Sequence, residues 1–262
     1  MTEAAARLAD RGGAGGTPSW TAAPRDAVGF LTRIPVGGAR LAPGQLGRAA
    51  LFFPAVGLLV GGVAAGVRAG AGVVLPDAPA TVLALLAAII VTGGLHEDGL
   101  ADTADGIGAH ADRARRLEIM RDSRIGVYGA LALAGALLFA FAALAPLDAA
   151  DFARAVLCAH VLARWSALPQ ALLPRARKDG AGSVLEVGPG VLAAATVYSA
   201  ALVLALGGLE AGGWALGGAV VVGALCAAAV RRALGGMTGD TFGAVIKLTE
   251  LTVYGVFAAV FV

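Results

Sequence analysis

Seven stretches of the chain read as membrane-spanning helices from their runs of apolar positions: 51–75, 78–95, 127–147, 152–173, 190–209, 213–230 and 244–262. A spanning helix needs about 20 mostly apolar residues. The fourth stretch carries Arg154, His160 and Arg164, so on hydropathy alone it also fits an interfacial helix pair. Most connections are short, but the one from 96 to 126 is long and polar. The pattern predicts an all-α fold: a polytopic membrane helix bundle of about seven spanning helices with a cytoplasmic acidic motif.

Composition strengthens that reading. Of 262 residues, 58% are hydrophobic and 15% are charged, and mean hydropathy is +0.80. Soluble chains carry roughly a quarter charged residues, so the excess apolar surface needs a lipid bilayer. Glycines such as Gly57, Gly61, Gly62 and Gly66 within one stretch fit close helix packing and equally fit a simple Ala/Gly bias. Cys158 and Cys226 lie inside apolar stretches with no CxxC spacing, which makes them small core residues rather than a disulfide or zinc site. The first residues have no continuous apolar run of the signal-peptide kind. Residues 1–23 are therefore expected to be a disordered tail, and 24–262 a single integral membrane domain.

Charge sets the orientation. Cytoplasmic loops carry the excess of Lys and Arg. Arg25, Arg33, Arg40 and Arg48 precede the first stretch, and Arg113, Arg115, Arg116, Arg121 and Arg124 lie in 96–126. Arg175, Arg177 and Lys178 follow the fourth stretch, and Arg231 and Arg232 follow the sixth. The alternate loops at 76–77, 148–151 and 210–212 hold no Lys or Arg. Seven spans with the N-terminus inside fit every cluster. The net charge of +2 is scattered over many loops, so nucleic acid is not an expected partner.

The segment from Gly93 to Tyr128 holds seven of the chain's 18 carboxylates. Asp98, Asp102 and Asp105 stand at i, i+4 and i+7, on one face of a helix. Like charges at that spacing repel, which calls for a cation, and oxygen ligands favour a hard ion such as magnesium. The alternative is a set of aspartates capping helices and forming turns; the position beside a span and five arginines favours a site. Arg116, Arg121 and Arg124 are candidates to grip phosphate, although Glu118 and Asp122 can tie some arginines into ion pairs. His96 is a candidate base, metal ligand or substrate donor. A second motif, GGMTGDTFG at 235–243, combines a Gly-rich turn that suits phosphate with Thr238, Gly239 and Asp240. Asp240 reads as a metal ligand or a helix cap. Lys247 and Glu250, at i and i+3, form a pair inside a span or a functional group there.

Five stretches together resemble the cobalamin synthase family: FLTRIPV at 30–36, FPAVGLLVG at 53–61, HEDGLADTADG at 96–106, RRLEIMRDSRIGVYG at 115–129 and GGMTGDTFGA at 235–244. The resemblance implies a multi-pass inner-membrane enzyme that uses magnesium to join alpha-ribazole, or its 5′-phosphate, to adenosylcobinamide-GDP with release of GMP. It implies catalytic roles for His96, Asp98 and Asp102, and metal ligands among Glu97, Asp98, Asp102, Asp105 and Asp240. It adds Arg164, Arg177, Thr238 and Gly239 to Arg116, Arg121 and Arg124 as candidates to bind the substrate and its phosphates. The stretch RKDGAG at 177–182 departs from the acidic pair expected before that glycine, which leaves Lys178 and Asp179 without an assigned role. A homo-oligomer is compatible with all of this. Two other classes use membrane carboxylates. A CDP-alcohol phosphotransferase-like lipid enzyme spaces them as DGxxAR…GxxxDxxxD, and DGLADTADG lacks that arginine. A divalent-cation transporter needs them at the bilayer midplane.

Overall fold

The computed structural model describes residues 19–37, 44–177 and 185–262. Arg40, Lys178, Asp179 and residues 1–18 of the expected tail lie outside the described residues. The described part is helical, with one isolated bridge between Arg175 and Met237. Residues 19–23 pack against the domain: Ser19 N donates to Gln45 Oε1 at 2.7 Å, and Ala23 is buried.

The helices are α1 (Ala23–Leu31), α2 (Gln45–Ala49), α3 (Phe53–Ala71), α4 (Asp77–Thr92) and α5 (Leu95–Gly108), followed by α6 (Arg113–Ile119), α7 (Val127–Leu144), α8 (Ala149–Gln170), α9 (Pro189–Leu234) and α10 (Gly239–Phe261). α8 forms the centre, with Val156, Ala159, Val161, Leu162 and Ala163 fully buried. It is enclosed by α3, α9 and α10. That enclosure explains its polar residues, since His160 and Arg164 face neighbouring helices rather than lipid.

Close approach by α3 depends on two glycines. A Cβ at Gly57 would strike the carbonyl of His160, and one at Gly61 would lie 2.8 Å from the carbonyl oxygen of Val156. Gly62 and Gly66 meet nothing within 4 Å. Half of this glycine series therefore serves packing.

Every expected apolar stretch contains a helix, but the crossings sort differently. By length and hydropathy four helical stretches are able to cross a membrane among the described residues, or five if α4 and α5 count as one bent span. The expected seven are thus not reproduced by that measure. α8 falls outside that count, and its polar residues Arg154, His160 and Arg164 lower its hydropathy. The stretches at 190–209 and 213–230 both fall within α9, which is two helices joined at Gly208, where a φ of 72° breaks the helical backbone. Unbroken, it would run about 69 Å, twice the bilayer core. It folds back instead: a Cβ at Gly212 would lie 2.8 Å from the Val203 carbonyl oxygen, where a straight helix would separate them by about 13 Å.

One bend positions the site. α4 ends at Gly93 and Gly94, both with positive φ (69° and 71°), a conformation that glycine adopts without cost. The chain turns by 87° into α5. By length and composition the pair fits one broken span or a re-entrant segment, and the turn brings α5 against α7 and α10.

Candidate active site

α5 carries HEDGLADTADG, and its helical period sorts the polar residues onto different sides. Asp98, Asp102 and Asp105 share one face, as their spacing predicts. His96 lies on the opposite side and is buried, its Nε2 without a hydrogen-bond partner. Gly99 rests against the start of α10, where a Cβ would lie 2.6 Å from the Asp240 carbonyl oxygen and 3.0 Å from Gly243 Cα. Glycine at both positions lets the acidic helix cross directly over the GDTFG turn. The two motifs, 140 positions apart in the chain, form one site.

Electrostatics records that meeting. Burial, then the carboxylates of Asp98 and Asp240, push the Asp102 carboxyl up to about 7. Burial, which disfavours the charged form, is the largest cause, and the like charges of the neighbouring acids add to it.

The far wall is a backbone pairing. Met237 N donates to Pro174 O at 2.8 Å, and Ala176 N donates to Met237 O at 2.9 Å. A Cβ at Gly236 would strike the Pro174 carbonyl. This pairing brings Arg177 beside Asp240, and Arg177 Nη2 donates to Asp240 Oδ2 at 2.9 Å. Thr238 caps α10: its Oγ1 accepts from Thr241 N at 3.2 Å, and Thr241 Oγ1 accepts from Thr238 N at 2.8 Å. Gly239 is the exposed first residue of α10. Arg175 is structural. Its guanidinium donates to the carbonyls of Ala171, Leu173 and Leu185 and stacks over Phe242.

Asp105 is engaged differently from its helix partners. Its carboxylate accepts from Gly126 N at 2.7 Å and Gly129 N at 2.8 Å, capping α7. A Cβ at Gly126 or Gly129 would strike that carboxylate. The glycines of RIGVYG thus serve the acidic helix.

The loop arginines separate into groups. Arg124, 86% exposed, is paired with Asp122 at 2.6 Å. Its hydrogen bonds hold the Asp122 carboxyl down at about 2. Arg115 pairs with Glu118 at 2.7 Å, so these acids do tie up arginines. Arg116 Nε donates to Ala111 O at 2.9 Å. Arg121 stands in the turn after α6, its backbone N–H donating to Glu118 O.

Arg164 and Glu97 belong to a second polar group inside the bundle. Lys247 Nζ lies 2.9 Å from Glu97 Oε1 and 2.5 Å from Glu250 Oε1. Glu250 Oε2 lies 3.2 Å from His160 Nδ1 and 3.5 Å from Arg164 Nη1. Two carboxylates are balanced there by two cations. Helical spacing was the available signal, since His160/Arg164 and Lys247/Glu250 are each paired along one helix. Their meeting across α8 and α10 was not legible.

The structure therefore brings Asp98, Asp102, Asp240 and Arg177 together, with Asp105 capping a helix at the end of the same face. It places His96, Glu97 and Arg164 in the inner group. Among the described residues no three His, Cys, Asp or Glu side chains stand close enough to form a complete metal cage.

The chain is similar to known proteins over most of its length. The family model described as cobalamin-5-phosphate synthase matches residues 23–258. The chain is 40% identical over 230 residues to the adenosylcobinamide-GDP ribazoletransferase of Roseiflexus sp. (strain RS-1), covering 86% of this chain and 85% of that protein. It is 41% identical over 246 residues to the protein of that name from Leptothrix cholodnii, covering 87% and 91%. With the one from Azorhizobium caulinodans it shares 42% over 240 residues, covering 86% and 90%. No solved structure matches the chain. With that match running from α1 almost to the end of α10, the chain belongs to the cobalamin-5-phosphate synthase family.

Proposed function

We propose that the protein joins alpha-ribazole, or its 5′-phosphate, to adenosylcobinamide-GDP with release of GMP, the last assembly step of cobalamin. The observation that carries the site is the convergence of Asp98, Asp102 and Asp240 where α5 crosses the start of α10. Relatives about 40% identical over most of the chain bear the name of that activity.

The reaction is a displacement at the phosphorus attached to cobinamide. A ribazole oxygen forms the new P–O bond while the bond to the GMP phosphate breaks. Charge builds on the leaving phosphate, and the attacking hydroxyl loses a proton. Arg177, already at the aspartates, supplies a guanidinium fork for phosphate oxygens. The proton passes to a carboxylate of the aspartate group, because His96 faces the other side of α5.

The donors fit magnesium. They are oxygen-only, and burial with the neighbouring carboxylates pushes the Asp102 carboxyl up, a shift that a bound cation would reverse. Magnesium commonly takes one or two carboxylates and completes its shell with water and phosphate, so a full protein cage is not required. A pair drawn from Asp98, Asp102 and Asp240 would hold it, since among the described residues no three such side chains are placed to do so together. When bound, it would neutralise the charge developing on the diphosphate.

The site would face the cytoplasm of the inner membrane. Arg113 lies against Gly235 and Arg177 against Asp240, so the basic loops gather at one end of the bundle, as positive-inside bias requires.

The test is direct. Detergent-purified protein is incubated with adenosylcobinamide-GDP and alpha-ribazole, with and without magnesium, and GMP is followed. Release should need both substrates and the metal. Absence of GMP under every condition would overturn the assignment, and release without any divalent ion would remove the metal from it.

A further inference from the structure

α5 and α10 pack extensively, with Leu100 set beside Ala244 and Leu248, and two further contacts between them bear on the site. The first is the glycine crossing, where Gly99 lies on Gly243 and the Asp240 carbonyl. The second is one turn further along α10, where Lys247 reaches Glu97 at 2.9 Å. Lys247 is also held to Glu250 at 2.5 Å, and Glu250 is braced by His160 and Arg164 of α8. A continuous polar chain therefore runs from the central helix, through Lys247, to the residue adjacent to Asp98.

We propose that Lys247 is a positioning residue: through Glu97 it sets the angle at which the acidic helix crosses α10, and so the placement of Asp98 and Asp102 relative to Asp240. The side chains of Lys247 and Glu97 are only 5% and 15% exposed, and charges so sheltered attract strongly. The ion pair sits one turn from the glycine crossing and adds a directional tie to the apolar contacts of Leu100 with Ala244 and Leu248. This inference rests on reading the aspartates as the reacting group of the proposed function.

The experiment uses the full chain in detergent with three variants: Lys247→Met, Lys247→Arg and the double variant Glu97→Gln/Lys247→Met. The double variant removes one charge of each sign and leaves Glu250 with Arg164, so it avoids stranding a buried carboxylate. Two quantities are read: kcat and KM for GMP release, and hydrogen exchange of 95–108 against that of α7 and α8. Displacing reacting groups by about 1 Å costs on the order of a hundredfold. Both Met-containing variants should lose kcat on that scale, with KM little changed and with faster exchange confined to 95–108. Lys247→Arg should recover most of the kcat. A folded double variant with wild-type kcat and wild-type exchange in 95–108 would overturn the proposal. Should wild-type protein release no GMP, the functional reading fails by itself. Exchange then decides the strut: unchanged protection of 95–108 in both Met-containing variants would refute it.

Discussion

Arg177 holds Asp240 by a 2.9 Å hydrogen-bonded ion pair, while Thr238, two residues earlier, performs the capping of the same helix. The two jobs that one aspartate at a helix start can do are thus divided between two residues. Thr238→Ala should cost about 1 kcal/mol of stability, the usual value of a lost cap, read as a lower melting temperature in detergent. Asp240→Asn keeps an acceptor for Arg177 and leaves the cap untouched, so folding should persist while GMP release falls on the order of a hundredfold. Wild-type turnover in Asp240→Asn would reduce Asp240 to an architectural anchor for Arg177.

Asp105 presents the opposite case. Both its oxygens are taken by backbone N–H groups at the start of α7. Asp105→Ala leaves those donors unpaired and should cost about 1–2 kcal/mol, whereas Asp105→Asn retains one acceptor and should cost less. Thermal unfolding of the three proteins side by side checks this. An Ala variant as stable as wild type would mean the cap contributes nothing.

Asp102 gives a pH signature. Its carboxyl is pushed up to about 7, from an ordinary value of 3.8, by burial and then by Asp98 and Asp240. Between those values the folded protein binds more protons at this residue than the unfolded chain does. Its contribution therefore makes stability fall as pH rises from about 4 to about 7, and levels off above. Asp98→Asn removes one of the repelling charges and should flatten that fall. Magnesium competes with the proton, so its stabilising effect should be larger at pH 8 than at pH 5.5. Equal magnesium shifts of the melting temperature at both values would contradict a shared site.

The two ends of α10 predict topology. Asp240 lies at the acidic site, and the 23-residue helix runs from there to Phe261 without a break. A reporter fused after Val262 should lie outside the cytoplasm, while one inserted at 108–112 should lie inside. Both reporters on one side would rule out a spanning α10.

Much of this was legible from the residues alone. Apolar runs identify membrane helices because lipid, unlike a folded core, demands an almost unbroken apolar exterior. The spacing of Asp98, Asp102 and Asp105 fixes a common face through helix period alone, and the Lys/Arg asymmetry supports one cytoplasmic end. The 152–173 stretch is harder, because its polar residues are compatible with a span only when neighbouring helices, not lipid, surround them.

Tertiary structure decided which of these residues cooperate. Helix period places His96 away from the aspartates, yet only packing shows that it faces a buried polar group. Asp105 looks identical to Asp98 along the chain, and its difference comes from the glycines at 126 and 129 that let α7 approach. Asp240 joins the acidic helix because Gly99 and Gly243 permit contact between backbones, and Lys247 meets Glu97 because that crossing sets them face to face. Local spacing governs which side chains share a face of one helix. Which faces meet depends on packing between segments far apart in the chain, and no local pattern records it.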